Sequence, residues 1–106
     1  MSEPYSLVIT TTGSRESARA LASLLLTKKL AACVQILPVE SHYIWNGVIQ
    51  HEAECALHIK TRTENFPALS EAIKTAHDYE VPEIIRMDIA GGDKPYLDWI
   101  SQAATP

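Results

Sequence analysis

Between His77 and Glu83 the chain gathers an imidazole, a phenol and two carboxylates, from His77, Tyr79, Glu80 and Glu83, around Pro82. Proline fixes its own φ and removes a donor, so such a stretch is stiff and its polar groups stand outside regular structure. That set can bind a small ligand or an ion, and His77 with Glu83 has the residue types of a general acid and base. The plainer alternative is that His77 closes a helix, where the dipole favours it, and that Tyr79 packs against a neighbouring subunit. A second pair comes from counting outward from Asn46-Gly47, a two-residue hairpin signal because both turn positions want positive φ. Trp45 then faces Val48, Ile44 faces Ile49, Tyr43 faces Gln50 and His42 faces His51, which puts two imidazoles close enough to share a metal. Set against that, two ligands alone make an unselective site, and surface histidines are commonly just solvated. Lys60 suits an anion and Cys33 stands on a neighbouring strand; no basic neighbour activates the thiol, so packing is its simpler role. No nucleophile with an adjacent base is legible, and Gly91-Gly92-Asp93 lacks the Lys and Ser of a phosphate loop.

The elements that must hold these residues follow from periodicity. Tyr5 to Thr11 is a β-branched strand bounded by Pro4 and Gly13. Ser14 caps a helix in which Ala18, Leu21, Ala22 and Leu25 recur at the helical spacing, ending near Lys28 and Lys29. Ala32 to Leu37 is a second strand, interrupted but not ended by Pro38, and the hairpin follows. Cys55 to Thr61 is a strand with Cys55, Leu57 and Ile59 on one face and Ala56, His58 and Lys60 on the other. Thr63 or Asn65 caps a helix that keeps its period through Phe66, Leu69, Ile73 and Ala76 to His77. Glu83 to Ala90 is a fourth strand, and Asp93 starts a short terminal helix carrying Tyr96, Leu97, Trp99 and Ile100.

This is an α+β chain: a ferredoxin-like βαβ-βαβ sandwich with an extra β-hairpin and a short C-terminal helix, one domain over residues 1–106. Both main helices cover one sheet face and leave the other bare, where Cys33 and Gln35 are expected to join His58, Lys60 and Arg86. A mixed polar and apolar bare face in a short chain is a surface for self-association.

Composition sets the outer bounds. With 106 residues, 46% hydrophobic and 21% charged, the balance is that of an ordinary globular domain. A net charge of -4 offers no basic field for nucleic acid, and no run is apolar enough to span a bilayer, so neither nucleic acid nor membrane is an expected partner. Met1 to Ser6 is polar and lacks a secretory signal, which leads to the expectation of a cytoplasmic protein with Cys33 and Cys55 as reduced thiols.

Five ordered blocks carry a resemblance: Lys29-Leu30-Ala31-Ala32-Cys33-Val34, Tyr43-Ile44-Trp45-Asn46-Gly47, Ile59-Lys60-Thr61, His77-Asp78-Tyr79-Glu80-Val81-Pro82-Glu83-Ile84 and Tyr96-Leu97-Asp98-Trp99-Ile100. In these the chain resembles the CutA divalent-cation-tolerance proteins. The resemblance implies a ferredoxin-like protomer in a homotrimer similar in architecture to the PII signalling proteins, with a small ligand or ion in the clefts between subunits and no cofactor required. Cys33, Lys60, His77, Tyr79, Glu80 and Glu83 are the expected cleft residues. The alternatives are direct sequestration of copper(II) or another divalent cation through His77, His42 and His51, and an enzyme using His77 with Glu83. The copper ligands proposed for the family are a cysteine and two adjacent histidines; here those positions are Thr10, Ala76 and His77, and Asp78 replaces the usual proline, so one ligand of the three remains.

Overall fold

The computed structural model describes residues 3–106. Its elements are β1 (Tyr5–Thr12), α1 (Arg15–Thr27), β2 (Cys33–Trp45), β3 (Val48–Arg62), a 3-10 turn (Thr63–Asn65), α2 (Phe66–Ala76), β4 (Ile85–Asp88) and α3 (Lys94–Ala103). The four strands form one antiparallel sheet in the order β2-β3-β1-β4, the ferredoxin-like arrangement.

Local chemistry fixes the turns. Ser14 accepts the Ser17 amide at 3.1 Å and so satisfies an orphan donor at the start of α1. At its far end Lys29 adopts φ 57°. The amides of Lys29 and Leu30 turn back to the carbonyls of Leu26 and Leu25, a Schellman closure built without glycine. Asn46 and Gly47 both have positive φ, 52° and 76°, as the turn type requires. The hairpin register is the one counted from the sequence, including His42 opposite His51. The extra hairpin is not a separate element. It is the outer half of β2 and β3, and β2 runs straight through Pro38, which an edge strand tolerates because one side of its backbone has no partner.

The main core lies between the sheet and α1 and α2, where Val8, Leu25, Leu57, Ile59, Leu69 and Ile73 are fully buried. The opposite face is less bare than expected. α3 covers one end of it: Ile100 and Ala104 are buried against Ala32 and Tyr5, and the Tyr5 and Ser101 hydroxyls lie 2.6 Å apart. Asn65 precedes α2 but does not cap it with its side chain; its amide nitrogen donates instead to the Ala104 carbonyl at 2.7 Å, tying α3 to the sheet end.

Arg86 is a correction. It is paired with Val8 and donates to Ser6 Oγ at 2.9 Å, so it lies on the helix side rather than on the open face. Ile85 and Met87 take the open face instead; β4 alternates cleanly as Ile-Arg-Met-Asp, but its apolar side is the open one, so the rule that turns apolar residues to the core points the wrong way here. Cys33 and Cys55 are free thiols, and the register separates them, since Cys33 faces Lys60 while Cys55 faces Pro38. Five places along the ribbon amount to about 16 Å, beyond the reach of any disulfide. No helix of the described residues is long and apolar enough to cross a membrane.

Candidate functional site

His77 leaves α2 in an extended conformation, which swings its ring across the end of β1. Its Nε2 lies 2.6 Å from the Thr11 carbonyl, and its Nδ1 accepts the Tyr79 amide at 3.0 Å. A carbonyl can only accept and an amide can only donate, so the ring carries its proton on Nε2 and both nitrogens are engaged. The His77 and Tyr79 rings meet at 4.7 Å between centroids. The Tyr79 hydroxyl then donates to Glu54 Oε2 at 2.7 Å. Burial first, then the bond to Glu54 and the surrounding carboxylate charge, push the Tyr79 phenol well above its ordinary range, which keeps it a donor. Gly13 makes room for this contact: a Cβ there would stand 3.2 Å from the Tyr79 hydroxyl. Beside it Tyr43 donates to Glu52 Oε1 at 2.8 Å, and that bond raises its pKa too. A hollow of about 20 Å³ between Thr12, Gly13, Ala76, His77 and Tyr79 has space for about one water.

Glu80 and Glu83, expected in the same group, are exposed, and among the described residues neither makes a side-chain hydrogen bond. Lys60 and Cys33 lie elsewhere. They face each other across β3 and β2, and the Lys60 ammonium donates to the Tyr96 hydroxyl at 3.3 Å while standing 5.4 Å from the centre of that ring. Tyr96 in turn contacts Trp99 at 5.5 Å between ring centres. Thr11 is paired with Ala56, four residues along β3 from Lys60. About 13 Å of strand therefore separates the two groups within one protomer.

The hairpin histidines form a third group. Their rings stack at 5.7 Å, and His42 Nε2 lies 3.5 Å from Glu40 Oε1. His77 is not with them, because Ala56, which marks its place on β3, is five residues from His51. Among the described residues no three His, Cys, Asp or Glu side chains stand converged as a metal cage. Thr10, at the position of the family's proposed cysteine ligand, is fully buried on the helix side, and its hydroxyl has no partner among the described residues. Glu54, Glu52 and the Thr11 carbonyl went unnoticed in the sequence. The first two were legible as carboxylates alternating with Ala53 in a strand, but nothing local says that Tyr79 reaches one of them.

The CutA1 divalent ion tolerance protein family model matches residues 6–103. The divalent-cation tolerance protein CutA of Thermus thermophilus is 43% identical over 97 residues, covering 91% of this chain and 94% of that protein. The chloroplastic CutA 1 of Oryza sativa is also 43% identical, over 94% of this chain, but the chain spans only 57% of that relative's length. Among solved structures, CutA1 from the psychrotrophic bacterium Shewanella sp. SIB1 superposes with a TM-score of 0.96 at 39% identity, over the whole of both chains. The CutA of Archaeoglobus fulgidus, described as periplasmic, gives 0.94 at 39% identity over 95% of this chain and 99% of that one.

The expectation of a cytoplasmic protein is corrected by these names, since two plant relatives are chloroplastic and the Archaeoglobus protein is described as periplasmic. The physical reason is that the composition of a shared domain carries no address. The plant relatives extend well beyond that domain, and the same fold occurs in different compartments. The thiol state of Cys33 and Cys55 therefore rests on their separation along the ribbon and not on a compartment. By family match, by identity over nearly its whole length and by fold, this chain belongs to the CutA1 divalent ion tolerance protein family.

Proposed function

We propose that the protein acts in divalent-ion response as a non-catalytic homotrimer that binds a small ligand or ion in clefts between protomers. The observation that carries this is the division of the polar groups into two half-sites, His77–Tyr79–Glu54 at one end of the sheet and Cys33–Lys60–Tyr96 at the other. Each is open on one side, and only a second protomer brings such ends together. Between them runs a sheet face that exposes Leu37, Ile85, Met87 and, on the hairpin, Trp45 and Val48, more apolar surface than a chain this small leaves to water without use. Glu80 and Glu83, exposed beside Tyr79, are placed to add charge to such a cleft.

The state of His77 favours this reading over direct copper(II) ligation by that residue, because a metal would have to displace either the Tyr79 amide or the Thr11 carbonyl, the backbone partners that orient the ring. It also favours binding over catalysis. A base needs a free nitrogen, and Glu83 is exposed and unpaired with His77 among the described residues.

Sedimentation equilibrium at micromolar concentration is expected to give three times the chain mass. A thermal-shift panel of small anions, nucleotides and divalent ions is expected to raise Tm for at least one of them, with the gain lost in Lys60→Ala. A monomer across the accessible range overturns the cleft and everything assigned to it.

A further inference from the structure

We propose that the Lys60 half-site takes a small carboxylate carried on a planar ring, with the acid on the Lys60 ammonium and the Tyr96 hydroxyl and the ring against Tyr96 and Trp99. This names the ligand class of one half-site, and it rests on the cleft reading only for the second protomer that closes over it.

The place of the anion follows from an ammonium that nothing neutralises. Lys60 is half-buried on the open face and, among the described residues, forms no ion pair. Its ammonium donates to the Tyr96 hydroxyl at 3.3 Å and stands 5.4 Å from the centre of that ring, contacts that orient the charge without cancelling it. The residues around it on the sheet carry no acid: Lys60 lies between Cys33 and Leu7, and His58 between Gln35 and Ile9. Going toward the hairpin, the first carboxylate on β3 is Glu54, six residues and about 20 Å of strand away. The nearer acids are already occupied, Glu64 by Arg62 and Asp98 by Lys94. In a chain of net charge -4, an acid-free neighbourhood around one ammonium is a place where an anion is drawn in.

The donors set its size. An ammonium has three protons to give, and Tyr96 takes one. The Tyr96 hydroxyl accepts from Lys60 and, among the described residues, donates to nothing, so its own proton is available. Two donors 3.3 Å apart suit the two oxygens of one carboxylate. A polyphosphate asks for more positive charge than this: the guanidinium two residues on, Arg62, is committed to Glu64 and to Thr105.

The rings set its shape. Tyr96 and Trp99 stand three apart on α3 and so share a face of the helix, while Ile100 and Ala104 turn to the sheet and are buried. Their ring centres are 5.5 Å apart with planes inclined at 40°, and they remain 41% and 42% exposed. Two adjoining aromatic surfaces beside a cation hold a flat apolar body better than a puckered one, because only the flat one can lie along a π face. Entry is open from the side of Cys33, since β2 is an edge strand and no further strand lies beyond it.

The experiment titrates 2-naphthoate into the intact protein and follows the indole N–H resonance of Trp99 by NMR, with cyclohexanecarboxylate, 2-naphthylmethylammonium and tripolyphosphate as comparisons. Expected are saturable movement of the Trp99 signal with 2-naphthoate, affinity roughly 2- to 10-fold weaker for cyclohexanecarboxylate, and no binding of the ammonium or of tripolyphosphate. Affinity for 2-naphthoate should fall roughly 10- to 100-fold in Lys60→Gln and roughly 5-fold in Tyr96→Phe. Both substitutions nearly preserve side-chain size, and an unchanged melting temperature without ligand confirms each fold. Equal affinity for the flat and the puckered acid, binding of the ammonium or tripolyphosphate, undiminished affinity in Lys60→Gln, or a Trp99 signal left unmoved because a neighbouring protomer already fills the space would each overturn the proposal. Sedimentation of the same samples separates this ligand class from the cleft: a trimer that ignores 2-naphthoate removes the ligand class alone, whereas a monomer that binds it through Lys60 removes the cleft and leaves the ligand class standing.

Discussion

The two ends of the β2–β3 ribbon are built from similar residues and meet opposite surroundings. At its root Leu57 and Ile59 are fully buried beneath α1 and α2, and the Thr61 hydroxyl donates to the Leu30 carbonyl at 2.6 Å. At its tip Ile44 and Ile49 are 73% and 75% exposed, beside Trp45 and Val48. Length explains the difference. α1 has 13 residues and β3 has 15 residues. At the rise of each element the helix is about 20 Å long and the twisted strand roughly twice that, so no helix of this chain reaches the tip. The molecule measures 44 × 27 × 22 Å as a result. Apolar alternation in a strand thus marks a face without saying what covers it; at the root the cover is the chain's own helices, and at the tip this chain supplies none.

The largest effect is expected at the root. Leu57→Ala removes a fully buried side chain and should cost about 2–5 kcal/mol of unfolding free energy, read by denaturant titration. The tip is where the comparison can break. In an isolated protomer Trp45→Ala should move stability by no more than about 0.5 kcal/mol. If another protomer covers the tip, the same change should cost about 2 kcal/mol per chain, and Tm should become more dependent on protein concentration. Calorimetry over a hundredfold concentration range separates the two, and a Tm that ignores both concentration and the substitution leaves the tip a free surface.

A middle-sized effect is expected where the root meets the loop. Tyr79→Phe deletes the donor to the half-buried Glu54 carboxylate. Leaving that acceptor unpaired should cost about 1 kcal/mol or somewhat more at neutral pH. The pH dependence has a definite sign. Folding raises the Tyr79 pKa above its ordinary value of 10.0. The stability tied to its proton is therefore complete below that pH and drains away as pH rises past it, where the unfolded chain ionises and the folded one does not. Unfolding measured between neutral pH and about 11 should show a shallower alkaline decline in Tyr79→Phe than in the unsubstituted protein. Equal slopes would mean that the phenol is not held as a neutral donor.

How much of this was legible in the sequence follows the same division. The strand order and hairpin register were readable because Asn46-Gly47 fixes a turn type and the turn fixes every pair below it. The face of Arg86 was not: Ile84, just before β4, packs into the main core, while within the strand the apolar side, Ile85 and Met87, points to the open face, against the usual rule that the apolar side of a strand meets the core. Nor was the seat of α3, whose contacts to Tyr5 and Ala32 join residues far apart in the chain. In the site, His77 and Tyr79 were readable as neighbours. Their link to Glu54 was not, since it depends on how the loop after α2 crosses the end of β1.

The smallest effect compares one residue from each end of the ribbon's neighbourhood. Lys29, just before the root, and Asn46, at the tip, are the two non-glycine residues with positive φ among the described ones. They do not carry the same strain. The short polar side chain of asparagine tolerates the left-handed region, while a lysine Cβ meets the following carbonyl there, at a cost of about 1 kcal/mol. Lys29 is held in that conformation because the closure of α1 demands it: the Leu30 amide must reach the Leu25 carbonyl for Leu30 to turn into the core. Glycine removes the clash and gives back part of the gain through the greater freedom of the unfolded chain. Lys29→Gly should therefore stabilise by about 0.5 kcal/mol, and Asn46→Gly should change little, since glycine and asparagine both suit that turn position. Both are read as shifts of the denaturation midpoint at constant slope. A destabilised Lys29→Gly would show that the lysine side chain contributes more at the end of α1 than its backbone costs.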